Sequence, residues 1–129
     1  AACGDLIWCT KEEELDGVPA ISGSGPAYVF RFIEALTEAG LRYGFNDVQA
    51  KRMAIATVLG SAELAKRSGE SPSVLREKVT SKGGTTYEAL KVMNDRHFME
   101  MMQDAMDACK KRAGELGDAF HESVEAAEK

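Results

Sequence analysis

The stretch of residues 79–90, VTSKGGTTYEAL, combines residue types that can bind an anion. Gly83 and Gly84 precede an apolar pattern that predicts a helix, and the first turn of a helix leaves backbone N–H groups unpaired and carries about half a positive charge. Glycines ahead of such a helix end let the backbone approach a ligand. Neutral donors are added by the hydroxyls of Ser81, Thr85 and Thr86. The stretch therefore predicts a site for a carboxylate or phosphate oxygen, although a Gly-Gly pair is also typical of a turn that only reverses the chain.

A second group of glycines and hydroxyls lies in residues 21–28, ISGSGPAY. Gly23 and Gly25 have the Gly-x-Gly spacing that begins a dinucleotide-binding fingerprint, but no third glycine follows at the required spacing, so the match is weak. The hydroxyls of Ser22 and Ser24 suit an N-cap, and Pro26 suits the first turn of a helix. Taken alone, these residues predict the start of a helix.

Other kinds of site are not indicated by the remaining polar residues. Cys3, Cys9 and Cys109 are odd in number and lack a Cys-x-x-Cys pair, so we expect no disulfide framework, no metal site and a reducing cytoplasm. His97 and His121 stand alone, which leaves a serine nucleophile without a predicted base. A net charge of -5 argues against a nucleic-acid partner, because nucleic-acid binding depends on clustered Lys and Arg.

Apolar residues at spacings of three and four predict an all-α chain with about five helices. The predicted helices run from Ser22 to about Gly44, from Asn46-Asp47 to about Ser68 before Gly69, from Ser73 to about Val79 after Ser71-Pro72, from a Thr85-x-x-Glu88 capping box to Asn94-Asp95, and from there to about Gly117. Residues 4–9 predict one strand, which needs neighbouring strands that the rest of the chain does not supply. Residues 118–129 predict a frayed tail.

The second predicted helix has no polar face over residues 53–62, MAIATVLGSA. Such a helix has to be surrounded by other elements. The small residues in this stretch would let another helix approach closely, which favours contacts from a second subunit. The alternative is the central helix of a monomeric bundle. No window approaches about 18 apolar residues, so we expect no membrane partner, and a start without Met suggests a fragment or a processed chain.

Two motifs together, ISGSGPAY and VTSKGGTT, separated by two long helices, closely resemble the C-terminal half of pyrroline-5-carboxylate reductase. The similarity runs from about Gly4 to Leu116. The resemblance implies an interleaved homodimeric bundle, like the C-terminal domain of 6-phosphogluconate-dehydrogenase-type reductases. It divides the chain into the end of a missing N-terminal Rossmann domain (residues 1–19), a helical dimerisation and substrate-binding domain (residues 20–117) and the tail (residues 118–129).

The resemblance also implies an activity, which is the reduction of 1-pyrroline-5-carboxylate to L-proline with NADPH or NADH. Carried over to this sequence, the substrate carboxylate is held by Ser81, Gly83, Gly84 and Thr85. Thr86 lies beside the ring nitrogen and is the implied catalytic residue. The nicotinamide end of the cofactor lies near Ser22, Gly23, Ser24, Gly25 and Pro26. The implied assembly is a homodimer or a higher homo-oligomer.

Some features depart from the family pattern. Almost the whole Rossmann half is missing, so we expect the chain alone to bind NADPH poorly and to be inactive. Pro19 stands where a threonine or a similar residue is expected, and Lys82 occupies a variable position to which we assign no chemistry. Two other classes of function stay open: a free-standing module that binds small carboxylates, and a dimerisation domain without catalysis.

Overall fold

Five α-helices follow a short π-helical turn in the computed structural model, which describes residues 17–128. The turn is Pro19–Gly23, and the helices are α1 (Gly25–Arg42), α2 (Asp47–Ser68), α3 (Pro72–Lys78), α4 (Thr85–Asp95) and α5 (Phe98–Glu128). No strand occurs in this described part, so the predicted all-α class with five helices is confirmed. The strand predicted for residues 4–9 lies outside the described residues.

The chain divides into two compact units. Of the described residues, one unit contains 17–28 and 99–128, and therefore the π-helical turn, the first residues of α1 and nearly all of α5. The other contains residues 29–98, with most of α1 and the helices α2, α3 and α4.

Side-chain caps fix several helix ends where the sequence predicts them. At the start of α2, the Asn46 side chain accepts from the Gln49 N–H at 2.9 Å and the Gln49 side chain accepts from the Asn46 N–H at 3.1 Å. Helix α2 ends at Gly69, whose φ of 70° lies in the left-handed region that favours glycine. The Ser71 hydroxyl accepts from the Val74 N–H at 3.3 Å and caps α3. The predicted bounds of α2 and α3 are confirmed.

The capping box predicted for α4 is wrong. Its N-cap is Gly84, which makes no side-chain cap, and Thr85 is already the first helical residue. The Gly84 N–H donates to the Ser81 carbonyl at 3.0 Å, and this turn starts the helix one residue earlier than the Thr-x-x-Glu spacing requires. Thr85 is therefore inside the helix, where its hydroxyl cannot act as an N-cap.

Helix α5 does not end at Gly117. It continues to Glu128, so most of the segment for which the sequence predicts a frayed tail is helical. Alanine and glutamate, which are frequent in this segment, are strong helix formers, and a glycine inside a helix costs only about 1 kcal/mol.

Small residues of helices α1 and α2 lie in close contact. Gly40 is buried, and a Cβ added to it would lie 2.9 Å from the Ala50 Cβ. Ala50 and Ala54 are the buried residues of α2. Large apolar side chains of the same helix stay exposed, among them Val48, Ile55 and Leu59. One chain thus covers only the small-residue side of α2.

Candidate functional site

The predicted anion site, residues 81–86, forms a tight loop followed by the first turn of α4; we call it the glycine loop. Val79 and Thr80 end the preceding element with backbone bonds to the Arg76 and Glu77 carbonyls, at 3.3 and 3.1 Å. The Thr80 hydroxyl also donates to the Arg76 carbonyl at 2.6 Å. These bonds anchor the loop to the end of α3.

The two glycines of the loop meet different steric demands. Gly83 has a φ of 75°, which is left-handed backbone that side-chain-bearing residues rarely adopt. Gly84 has an ordinary extended backbone, but a Cβ added to it would lie 2.5 Å from the Ser81 Oγ and 3.2 Å from the Ser81 carbonyl oxygen. Gly83 is therefore required for the turn, and Gly84 is required for the close approach of Ser81.

The loop presents several hydrogen-bond donors in one place. The N–H groups of residues 85–87 belong to the first turn of α4 and have no backbone acceptor among residues 17–128. Within the same residues, no hydrogen bond holds the hydroxyl of Thr85 or Thr86. The Ser81 hydroxyl lies beside Gly84. Backbone and hydroxyl donors at the positive end of a helix can bind a carboxylate.

The glycine loop is open to solvent in the single chain. Gly84 is half-buried, whereas the side chains on either side of it, including those of Ser81 and Thr86, are exposed. Water would compete for every donor in such an open loop, so a selective site here needs further walls that exclude water.

The second predicted site, residues 22–26, begins in the last two residues of the π-helical turn and ends in the first two residues of α1; we call it the SGSGP turn. The Ser24 N–H donates to the Pro19 carbonyl at 2.7 Å, and the Ala27 N–H donates to the Ser24 carbonyl at 3.0 Å. The Ser22 hydroxyl donates to the Val18 carbonyl at 3.1 Å. π-helical turns are rare in proteins, and those that occur are often found at functional sites.

Two side chains from outside the SGSGP turn hold it. The Tyr28 hydroxyl donates to the carbonyl of Ala20 at 2.8 Å, and the Cys109 thiol of α5 donates to the Ser24 hydroxyl at 3.3 Å. The pKa of the Tyr28 phenol is raised above its ordinary value of 10.0, chiefly by hydrogen bonding with Cys109 and then by desolvation. The phenol is therefore protonated at neutral pH and available as a donor.

The structure places the predicted residues in separate units. Ser81, Gly83, Gly84, Thr85 and Thr86 are contiguous at the start of α4, in the unit of residues 29–98. Residues 22–26 lie in the other unit, together with Cys109. The contacts of Tyr28 and Cys109 were not predicted, because Cys109 is far from the ISGSGPAY motif in sequence and Tyr28, the last residue of that motif, has no role assigned from the sequence.

Two further findings concern other classes of site. Among residues 17–128, no three His, Cys, Asp or Glu side chains gather into a group that could hold a metal ion. Within the same part of the chain, no helix combines the length and the apolar character needed to span a membrane.

The sequence comparisons described below point to one family. A family model described as pyrroline-5-carboxylate reductase dimerisation matches residues 12–116. The chain is 38% identical over 118 residues to the pyrroline-5-carboxylate reductase of Pseudomonas aeruginosa, which covers 92% of this chain and 43% of that protein. It is 42% identical over 117 residues to the Synechocystis enzyme of the same name, which covers 91% and 43%. The chain thus spans less than half the length of these relatives.

Solved structures with a similar fold carry the same family name. The pyrroline-5-carboxylate reductase of Coxiella burnetii matches with a TM-score of 0.82 and 41% identity, over 85% of this chain and 41% of that one. The Plasmodium falciparum pyrroline carboxylate reductase, solved with NADP bound, matches with a TM-score of 0.79 and 33% identity, over 84% and 41%.

Proposed function

Because this chain belongs to the pyrroline-5-carboxylate reductase dimerisation family, we propose that it is the C-terminal half of a reductase that converts 1-pyrroline-5-carboxylate to L-proline with NADPH or NADH. In this role the chain binds the substrate carboxylate and forms the dimer. The N-terminal half, which corresponds to the part of the relatives that this chain does not span, holds most of the cofactor. A reducing cytoplasm suits the free thiol of Cys109.

The observation that carries the proposal is the geometry of the glycine loop. Its donors lie within a few residues of the N-terminus of α4, and the absence of a Cβ on Gly84 allows the Ser81 hydroxyl to lie close to that end. Hydrogen bonds to a charged group contribute about 1.5 to 3 kcal/mol each, whereas the helix dipole contributes about 0.3 to 1 kcal/mol. Three such bonds outweigh the dipole, so the affinity for the carboxylate depends on local donors, which are the Ser81 hydroxyl and the unpaired N–H groups of Thr85 and Thr86.

Anchoring the carboxylate orients the cyclic imine. The ring then presents its C5 in one direction, which turns a chance encounter with the hydride donor into a positioned one. The bound nicotinamide supplies the hydride. What this chain contributes is the placement of the ring and a hydrogen bond to it.

Thr86 is the residue we assign to the ring nitrogen. Hydride addition to an imine carbon leaves negative charge on the nitrogen unless that atom is protonated or accepts a hydrogen bond. Thr86 lies in the first turn of α4, next to the carboxylate-binding residues, and its hydroxyl is not engaged elsewhere in the described chain. Because a hydroxyl is a poor acid, Thr86 acts as a hydrogen-bond donor or as a relay rather than as the source of the proton.

We assign the SGSGP turn to the nicotinamide end of the cofactor. The turn carries no charged side chain, and a Cβ added to Gly25 would meet no atom within 4 Å. An uncharged, accessible backbone suits a neutral carboxamide better than a phosphate, which requires cations or several convergent donors.

Dimerisation accounts for the open faces of the single chain. Besides Val48, Ile55 and Leu59, further large apolar side chains are exposed on α1 and α2, including Phe32 and Met53. A groove of about 530 Å³ runs along α2 between Val48 and Leu59. Burying such a face in a second copy would remove it from water and supply walls for sites that one chain leaves open.

The test joins this chain to an N-terminal dinucleotide-binding domain of its family, and we call the product the two-domain protein. We expect it to form L-proline from 1-pyrroline-5-carboxylate and NADPH, while the chain alone is inactive. Binding of proline to the isolated chain without any turnover of the two-domain protein would favour the carboxylate-binding module. A dimer that shows neither activity nor binding would leave only the dimerisation role.

A further inference from the structure

We infer that Tyr28 and Cys109 are positioning residues that hold the SGSGP turn in the shape needed to contact the nicotinamide end of the cofactor. The inference rests on the proposed function, because that function gives the turn its ligand. It gives a role to two residues that the sequence analysis leaves without one: Tyr28 on α1 and Cys109 on α5.

The first support is the bond from Tyr28. Its hydroxyl reaches back to the carbonyl of Ala20, at 2.8 Å, and so spans the whole SGSGP turn. Ala20 is only 4% exposed, and a buried carbonyl without a donor would be costly. The bond therefore fixes the distance between Ala20 and Tyr28, which flank the turn on either side.

The second support comes from the opposite direction along the chain. The Cys109 thiol donates to the Ser24 hydroxyl, at 3.3 Å, and connects the middle of the turn to α5. The turn is thus flanked by the bond from Tyr28 to Ala20 and held at its centre by the bond from Cys109 to Ser24.

Tyr28 and Cys109 can affect cofactor binding without touching the cofactor. The backbone bonds from Ser24 to Pro19 and from Ala27 to Ser24 also hold the turn, but the glycines at 23 and 25 leave its backbone more conformations than other residues would. Without the two side-chain bonds, the turn would be less well ordered, and part of the cofactor's binding energy would go into ordering it. We therefore expect the effect in cofactor binding rather than in binding of the substrate carboxylate.

The experiment measures binding of two ligands to the two-domain protein by fluorescence or calorimetric titration. NADPH carries the nicotinamide, whereas 2′-phospho-ADP-ribose lacks it. We expect Tyr28→Phe to weaken NADPH about 2- to 10-fold, the range for one lost hydrogen bond, and to leave 2′-phospho-ADP-ribose unchanged. Cys109→Ala should act in the same direction, and Cys109→Ser should restore binding because a serine hydroxyl can donate to Ser24.

Tyr43→Phe is the matched control, since Tyr43 is 80% exposed and lies beyond the end of α1. It should leave both affinities unchanged. Equal affinity for NADPH in wild type and Tyr28→Phe would overturn the inference, as would an equal loss for both ligands, which indicates general destabilisation. The proposed function fails separately, if the wild-type two-domain protein forms no proline.

Discussion

Ser81 and Gly84 act as a pair at the scale of single residues. The hydroxyl of Ser81 can lie this close to the N-cap of α4 only because residue 84 has no Cβ, which would come within 2.5 Å of it. Gly83 forms the turn between them, and its φ of 75° lies in the left-handed region that favours glycine. The proposed carboxylate site therefore depends on the absence of side chains as much as on the donors themselves.

Replacing Gly84 with valine should weaken substrate binding in the two-domain protein. The added side chain displaces the Ser81 hydroxyl and crowds its carbonyl oxygen, so at least one bond to the carboxylate is lost. At about 1.5 to 3 kcal/mol per bond, we expect KM for 1-pyrroline-5-carboxylate to rise about tenfold or more. Lys82→Ala, in the same loop, serves as the control and should change KM little. An unchanged KM in Gly84→Val would remove the loop from the substrate site.

Thr86→Val should act on turnover more than on binding. Valine keeps the shape of threonine but cannot donate a hydrogen bond to the ring nitrogen as charge changes there. Loss of a donor that acts in the transition state lowers kcat by about 100-fold or more. Thr86→Ser keeps the hydroxyl and should retain most of the activity. Steady-state kinetics of both variants decide the matter, and a normal kcat in Thr86→Val excludes an important donor role.

The sequence predicts the donors of the glycine loop but not the start of the helix that carries them. Thr85 and Glu88 have the spacing of a capping box, yet the backbone bond from Gly84 to Ser81 moves the N-cap to Gly84. Local spacing cannot reveal this, because two adjacent glycines allow several turns. The contact between Ser24 and Cys109 is equally hidden, since it joins residues that only the tertiary structure brings together.

At the scale of the elements, the crossing of α1 and α2 depends on Gly40 and Ala50. Ala50 is 1% exposed, and its Cα would lie 3.4 Å from a Cβ added to Gly40. Helix bounds and caps follow from local chemistry, which is why Asn46, Gly69 and Ser71 are read correctly from the sequence. The place where two helices cross depends on which small residues face each other, and periodicity does not show it.

Gly40→Ala should therefore destabilise the chain although alanine favours helices. The gain in helix propensity is about 1 kcal/mol, whereas overpacking a close contact costs about 1 to 3 kcal/mol. The backbone of Ala50 cannot rotate away, so we expect a net loss of up to about 2 kcal/mol. The midpoint of urea unfolding, followed by circular dichroism, measures it.

Gly117→Ala is the matched control for this crossing. Residue 117 also lies inside a helix, but a Cβ there would meet nothing within 4 Å. It should raise stability by about 0.5 to 1 kcal/mol, as propensity alone predicts. Equal stabilisation by both substitutions would show that Gly40 and Ala50 do not set the distance between the helices.

At the scale of the whole molecule, helix α2 is the element that one chain buries only in part. Its sequence has no polar face over residues 53–62, and the structure covers only its small-residue side. The sequence predicts that a partner covers this helix, because an apolar helix has to be surrounded. It does not say which residues the partner contacts, since that depends on how α1 and α2 cross within each chain.

Leu59 is the best probe of that face. It is 64% exposed and lines the groove along α2, where no partner from the described chain covers it. Burying a leucine in a dimer contributes about 1.5 to 3 kcal/mol, whereas burying an unpaired carboxylate costs several kcal/mol. We therefore expect wild type to sediment as a dimer at micromolar concentration and Leu59→Glu to sediment mainly as a monomer with unchanged helix content.

Lys66→Glu is the control variant. It changes the charge by a larger amount in the same direction, at the polar end of α2, and should remain a dimer. A wild-type monomer, or a Leu59→Glu dimer as stable as wild type, would show that this face of α2 is not the interface.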